Sequence, residues 1–243
     1  MVVSVNMYQT YILKNGLKVI HQQIAGKAAW CGLIIGVGSR DEQPEEEGIA
    51  HFIEHVIFKG TEKRKAYHIL SRIEDVGGEL NAYTTKEDTC IYASFLPTDY
   101  ERVLELFADI VFNSIFPEKE IEKEKEVVLD EINSYKDSPG ELIFDDFEEL
   151  IYRGYPIGRN ILGSEEAVKG LNRDSILKFV KRNYSPSKMV ISSIGYFSFE
   201  KLVKLVECYF GEIPEYENPL VRLKPEIYQP QIHIIEKDTY QNH

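Results

Sequence analysis

A chain of 243 residues, 43% hydrophobic and 28% charged, has globular composition and enough length for a sizeable core, which excludes disordered and fibrous classes. Its formal net charge of −12 argues against nucleic acid as a partner, since phosphate binding needs a basic surface, and is compatible with peptides carrying lysine or arginine. No stretch approaches the roughly 20 apolar residues that span a bilayer, the N-terminus has no leader pattern, and the cysteines (Cys31, Cys90, Cys208) form no Cys-x-x-Cys pair, so a cytoplasmic protein with buried thiols is expected.

In chain order, "TYILKNGLKVIHQQ" predicts a hairpin with a type I′ turn at Asn15-Gly16. The nearly continuous apolar run "AAWCGLIIGVGSR" predicts a buried central strand. Residues 48–58 predict a helix stopped by Gly60, and "AYHILSRIEDVGG" a second one stopped at Gly77-Gly78. "ELNAYTTKEDTCIYASFL" alternates as two strands around a polar turn. Three helices are then expected, over Tyr100–Asn113, Glu118–Lys136 and Leu142–Tyr152. After a turn-rich loop, Asn172 opens another helix, "KMVISSIGYF" reads as a strand, and Ser198 opens a last helix. Strands early, helices in the middle and a late strand–helix unit imply an α+β fold, with a mixed sheet against a helical layer. We divide the chain into a lobe at 1–213, a proline-spaced linker at 214–229 and, at 230–243, the first strand of a further lobe.

Two of the predicted helices conflict with their own cores. At about 100° per residue, Ile49, Phe52, Ile53 and Val56 share one face of the first helix, while His51, Glu54, His55 and Phe58 share the opposite one. Both imidazoles can then reach one point, with a carboxylate beside it, which suits two metal ligands and an adjacent base. A solvated polar face gives the same pattern. In "EKEIEKEKEVVLDEINSYKD", Ile121, Val127, Val128, Ile132 and Tyr135 are expected to point inward, and Glu124 and Glu131 lie among them. A buried carboxylate is costly unless paired or bound to metal, so these two complement the histidines; a helix rotated to carry both at its edge is the alternative.

"HFIEH" followed by "EKEVVLDEI" resembles the inverted-zincin (pitrilysin, M16-type) peptidases, which include mitochondrial processing peptidases, insulin-degrading enzymes and bacterial relatives. "GSRDEQPEEEGIAHFIEHVIFKGT", "VGGELNAYTTKEDTCIYA" and "YPIGRNILGSEEAVKGL" are similar to family segments and stand in family order. The resemblance implies a zinc metalloendopeptidase binding one zinc ion per chain, with His51, His55 and Glu131 as ligands. Glu131 stands 76 residues beyond His55, as the family's third ligand does. It further implies Glu54 as general base and Glu124 as an auxiliary acidic residue orienting the ligands. In the family an extended peptide or unfolded protein adds to an edge strand. Asn81, Ala82 and Tyr83 would line that contact and Phe58 a neighbouring pocket, although Phe58 and Tyr83 also fit plain core packing. Family members close two homologous lobes like a clamshell, so the resemblance places this chain as one catalytic lobe whose partner is a second lobe or a separate subunit.

Two other readings compete. One is a non-catalytic peptide-binding or structural subunit of the same fold. The other is a structural zinc site, which needs a fourth protein ligand from Cys90, His21 or His68.

Overall fold

The computed structural model describes residues 8–215, 221–225, 230 and 232–234. Its strands are β1 (Gln9–Ile12), β2 (Lys18–Gln23), β3 (Ala29–Ile35), β4 (Glu79–Thr84), β5 (Thr89–Phe95) and β6 (Met189–Gly195). They form a single sheet in the order β1-β2-β6-β3-β5-β4, antiparallel throughout except for β2 against β6. The helices are α1 (Ile49–Val56), α2 (Ala66–Glu74), α3 (Tyr100–Phe112), α4 (Glu118–Lys136), α5 (Pro139–Ile151), α6 (Glu165–Gly170), α7 (Arg173–Asn183) and α8 (Phe199–Phe210). The fold is therefore the α+β arrangement expected, a mixed and mostly antiparallel sheet with a helical layer.

Strand period makes the sheet two-faced. Cys31, Leu33, Ile35, Ile91, Ala93, Phe95 and Ile191 are buried on the face that meets the helices, together with Phe52, Phe107 and Phe210. Each fully buried side chain of this size contributes about 1.5–3 kcal/mol. The other face is only partly covered: β3 alternates, and Trp30 is 47% exposed. The continuous apolar run thus forms an inner strand, as expected, but with only one of its faces fully buried.

The first hairpin departs from the predicted turn. Leu13 and Leu17 flank it through a Leu13 N–H to Leu17 C=O bond of 2.9 Å, and Gly16 alone takes a positive φ, +83°. A type I′ turn needs positive φ at both central residues, whereas a type I turn closed by a left-handed glycine needs it once. Asn15 is held back because its side chain is used elsewhere: Nδ2 donates to the carbonyls of Phe210 (2.8 Å) and Ile213 (3.0 Å), tying the turn to the end of α8. Gly60, expected as a helix terminator, instead lies beyond the helix end with φ +147° and bridges to Lys65. Asn172 and Ser198 cap α7 and α8 as expected. Positions 230 and 232–234 carry no strand, and the remainder of the strand predicted at the C-terminus lies outside the described residues.

A polar network crosses the core beside β6. His21 Nε2 meets the Phe197 carbonyl at 3.0 Å, its Nδ1 meets Ser193 Oγ at 3.1 Å, and Tyr100 OH reaches the same Oγ at 2.8 Å. Neutral imidazole satisfies both partners, donating to the carbonyl and accepting from the hydroxyl. Burial lowers the pKa of His21 below its usual value. A histidine depressed in the folded state supports stability above the unfolded pKa of about 6.5 and loses that support as pH falls below it. Melting curves should therefore show a larger loss of Tm between pH 7.5 and 5.5 for the wild type than for His21→Gln; parallel losses would contradict this role.

Candidate metal centre

Helix α1 starts without a side-chain cap of its own, because its N-cap is Gly48, at φ +85°. The left-handed conformation and the neighbouring backbone both demand glycine: a Cβ there would stand 2.5 Å from the Leu162 carbonyl oxygen. The orphan N–H groups of the first turn are met from a distance. Glu42, buried, accepts from Gly48 N–H at 3.0 Å and from Ala50 N–H at 2.9 Å. Burial pushes its carboxyl up to about 8, against the pull of those two donors. Arg159 in turn donates to the Glu42 carbonyl at 3.1 Å, so the loop after α5 helps hold the helix start.

The apolar face of α1 is fully buried, as projected. Its histidine face is only partly solvated, because it lies against α4. His51 is 8% exposed, and its Nε2 is 3.3 Å from Nε2 of His55. Glu131 Oε2 stands 3.6 Å from the first of these atoms and 3.4 Å from the second. Burial, and then the neighbouring His55, lower the pKa of His51 to about 4, so it presents a lone pair at neutral pH. Its Nδ1 is buried without a hydrogen-bond partner.

Two facing imidazole nitrogens and a carboxylate oxygen at these separations suit a shared cation. A tetrahedral ion with bonds of about 2.0–2.1 Å has ligand–ligand edges of about 3.3–3.4 Å, close to the three distances observed. Among the described residues, His51, His55 and Glu131 form the metal-capable group, and Cys90, His21 and His68 do not join it. The donor set and its spacing therefore fit zinc with one coordination position left over.

Helix α4 only partly follows the expected stripe. Ile121, Glu124, Val128 and Ile132 are buried, but Val127 is 48% exposed and the Glu131 side chain 44% exposed. The helix is rotated so that Glu131 sits at the edge of the stripe and reaches the histidines from the rim. Glu124 is the carboxylate that is buried, with Oε2 3.4 Å from His55 Nδ1 and Oε1 2.7 Å from Lys59 Nζ. Glu54 lies on α1 beside the cluster. Burial raises its pKa, while Thr84 at the end of β4 and His55 pull it down and Glu131 adds to the rise.

The four predicted peptide-contact residues are spread over different surfaces. β4 is the sheet edge. Asn81 and Tyr83 pair opposite Tyr92 and Cys90 and project onto the open face, whereas Ala82 is buried on the face toward α1. The Ala82 N–H donates to the side-chain Oδ1 of Asn81 at 2.8 Å. Tyr83 is exposed and so is not a core residue, and Phe58 is half-buried against the core.

Comparison with known proteins identifies the family. The profile described as insulinase, peptidase family M16, matches residues 18–165. The chain belongs to peptidase family M16. A second M16 profile, the peptidase M16 inactive domain, matches residues 170–243. An M16 relative named zinc protease YmxG, from Bacillus subtilis, is 36% identical over 98% of this chain and 58% of its own length. The beta subunit of the mitochondrial-processing peptidase of Saccharomyces cerevisiae is 35% identical over 87% of this chain and 46% of its own. A protease from Helicobacter pylori superposes with a TM-score of 0.83 at 25% identity, covering 88% of this chain and 52% of the other. The chain thus spans about half the length of the M16 relatives it matches. Among the described residues no helix is long and apolar enough to cross a membrane.

Sequence reasoning missed Glu42, Lys59 and Thr84. Glu42 had a legible signal: a helix that opens on glycine cannot cap itself, and "DEQPEEEG" supplies carboxylates just upstream. Replacing Glu42 by alanine leaves two buried N–H groups without acceptors, at about 1–3 kcal/mol each. Urea unfolding of Glu42→Ala should show a loss of about 2–6 kcal/mol, and an unchanged midpoint would remove Glu42 as the cap.

Proposed function

We propose that this chain is the zinc-binding catalytic lobe of a metalloendopeptidase that cleaves peptides or unfolded segments bound along the β4 edge. The observation that carries the reading is the cluster of His51, His55 and Glu131 donor atoms at 3.3–3.6 Å, with the Glu54 carboxylate on the same helix face.

His51, His55 and Glu131 would hold the zinc. Zinc at that point supplies a Lewis acid that polarises a peptide carbonyl and lowers the pKa of water. Glu54 takes the proton of the attacking water and later delivers it to the departing amine nitrogen. Its raised pKa supports the first half of that role, because a carboxylate shifted toward neutrality takes up a proton more readily than a fully exposed one. Glu124 accepts from His55 Nδ1–H, which leaves the lone pair on Nε2 directed at the metal position. Main-chain pairing along β4 would bring a scissile bond past Thr84 to Glu54, and backbone recognition of this kind accepts many side-chain sequences. To bind there, a peptide must displace the Asn81 side chain from the Ala82 N–H. A second lobe or partner subunit would close over this edge and complete substrate binding.

Glu54→Gln keeps the size of the side chain and removes its basicity. Zinc content should be unchanged, while hydrolysis of a quenched fluorescent basic peptide should fall about 10²–10⁴-fold, and a chelator should abolish the wild-type rate. A variant with wild-type turnover would exclude Glu54 as the base. If the 243-residue chain is silent, the same comparison is made with a second lobe or partner subunit supplied.

A further inference from the structure

The residues "FKGT" that follow α1 are not used by the reading above, yet Lys59 lies within reach of the site. The segment from Ile57 to Lys65 leaves α1 and turns back sharply, and it is pinned at its far end. Thr61 Oγ1 donates to Asp109 Oδ2 at 2.9 Å, and Arg64 donates to the same carboxylate and, through Nη2, to both oxygens of Glu105 at 2.7 and 2.9 Å. Asp109 is buried within α3. Backbone bonds from Lys59 N–H to Val56 C=O and from Thr61 N–H to Arg64 C=O fix the path between the helix and this clamp. The Lys59 ammonium is thereby delivered to the Glu124 oxygen that does not contact His55.

Glu124 spans two partners with its two oxygens: Lys59 Nζ at 2.7 Å on one and His55 Nδ1 at 3.4 Å on the other. Glu124 is 9% exposed and has apolar Ile121 and Val128 one turn before and after it on α4. A buried carboxylate needs a counter-charge, and a neutral imidazole N–H does not provide one. Lys59 is the cation the structure places against Glu124.

We infer that Lys59 is a positioning residue for the metal centre, holding the Glu124 carboxylate against His55 Nδ1 so that His55 Nε2 stays aimed at the metal position. This role rests on the zinc reading of the His51, His55 and Glu131 cluster. Two effects of removing Lys59 oppose one another. Loss of a nearby positive charge favours a cation through space, while loss of the counter-charge lets Glu124 leave His55 and frees the ring to turn. Contact geometry decides for the second, because the ammonium is already paired with Glu124 and its field at the metal position is largely cancelled, whereas the hydrogen bond to the ligand has no substitute.

The test is zinc affinity, measured by competition with a chromogenic chelator on the 243-residue chain, alongside melting of the metal-free proteins. Lys59→Met should weaken zinc about 10–100-fold, the usual range for losing an outer partner of a ligating histidine, and Lys59→Arg should restore most of it. In a Glu124→Gln background Lys59→Met should add no further loss. Should Lys59→Met fold poorly, Lys59→Gln, which removes the charge and keeps the length, is expected to weaken zinc as well. Unchanged or tighter zinc in the charge-removing variants, or the same loss in both backgrounds, overturns the role of Lys59 and leaves the metal site standing. A folded wild type that takes up no zinc overturns the site and this role together.

Discussion

The helix α1 is packed on both of its faces, against the core on one side and α4 on the other, and that constraint organises the lobe. Its apolar side is consumed by the sheet-facing core, and its polar side is pressed against α4, so two imidazoles are held a few ångströms apart, His51 buried and His55 partly buried. Burial disfavours charging His51, so its ring stays neutral beside its neighbour. The surroundings are built to hold the arrangement. Glu42 ties down the helix start, the paired glycines at Gly48 and Gly163 let the loop after α5 lie against it, and the Thr61–Arg64–Asp109 clamp fixes the chain just past its end. A helix of eight residues has little stability of its own, so its geometry is imposed from outside.

Glu131 approaches from α4 with nearly half of its side chain in solvent, which keeps one side of the cluster open. The peptide-binding reading draws on the opposite property at β4, a strand with an unpaired outer edge. Edge strands tend to recruit partners indiscriminately, and here the Asn81 carboxamide occupies one of the free N–H groups. The same atom that guards the edge in the free protein is the one an incoming strand would replace.

Much of this was legible in the residues. The 3.6-residue period separated the two faces of α1, and strand alternation with turn residues located the sheet elements, because both signals are local. The failures share a different cause. The I′ turn was misjudged because Asn15 is recruited by a backbone more than 190 residues away in sequence. Val127 was assigned inward, and Glu131 placed mid-stripe, because rotation of α4 about its axis depends on what it packs against. Glu42 and Lys59 went unseen since each acts through a partner that periodicity does not reveal. Helical projection identifies which side chains share a face; it does not say which neighbour will cover that face.

The strand order carries a consequence for how the lobe comes into being. β2 and β3 are consecutive in sequence but are not neighbours in the sheet; β6 lies between them and supplies the one parallel pairing. The sheet therefore has a gap at its centre until the last strand of the lobe has been made. At about 5–20 residues per second on the ribosome, that interval is on the order of ten seconds. Throughout it the β1–β2 hairpin and the inner edge of β3 have unsatisfied backbone groups and apolar side chains awaiting a strand still inside the ribosome. A nascent chain of this design needs shelter during its own synthesis, and truncation before β6 yields two separated pieces of sheet instead of a smaller lobe.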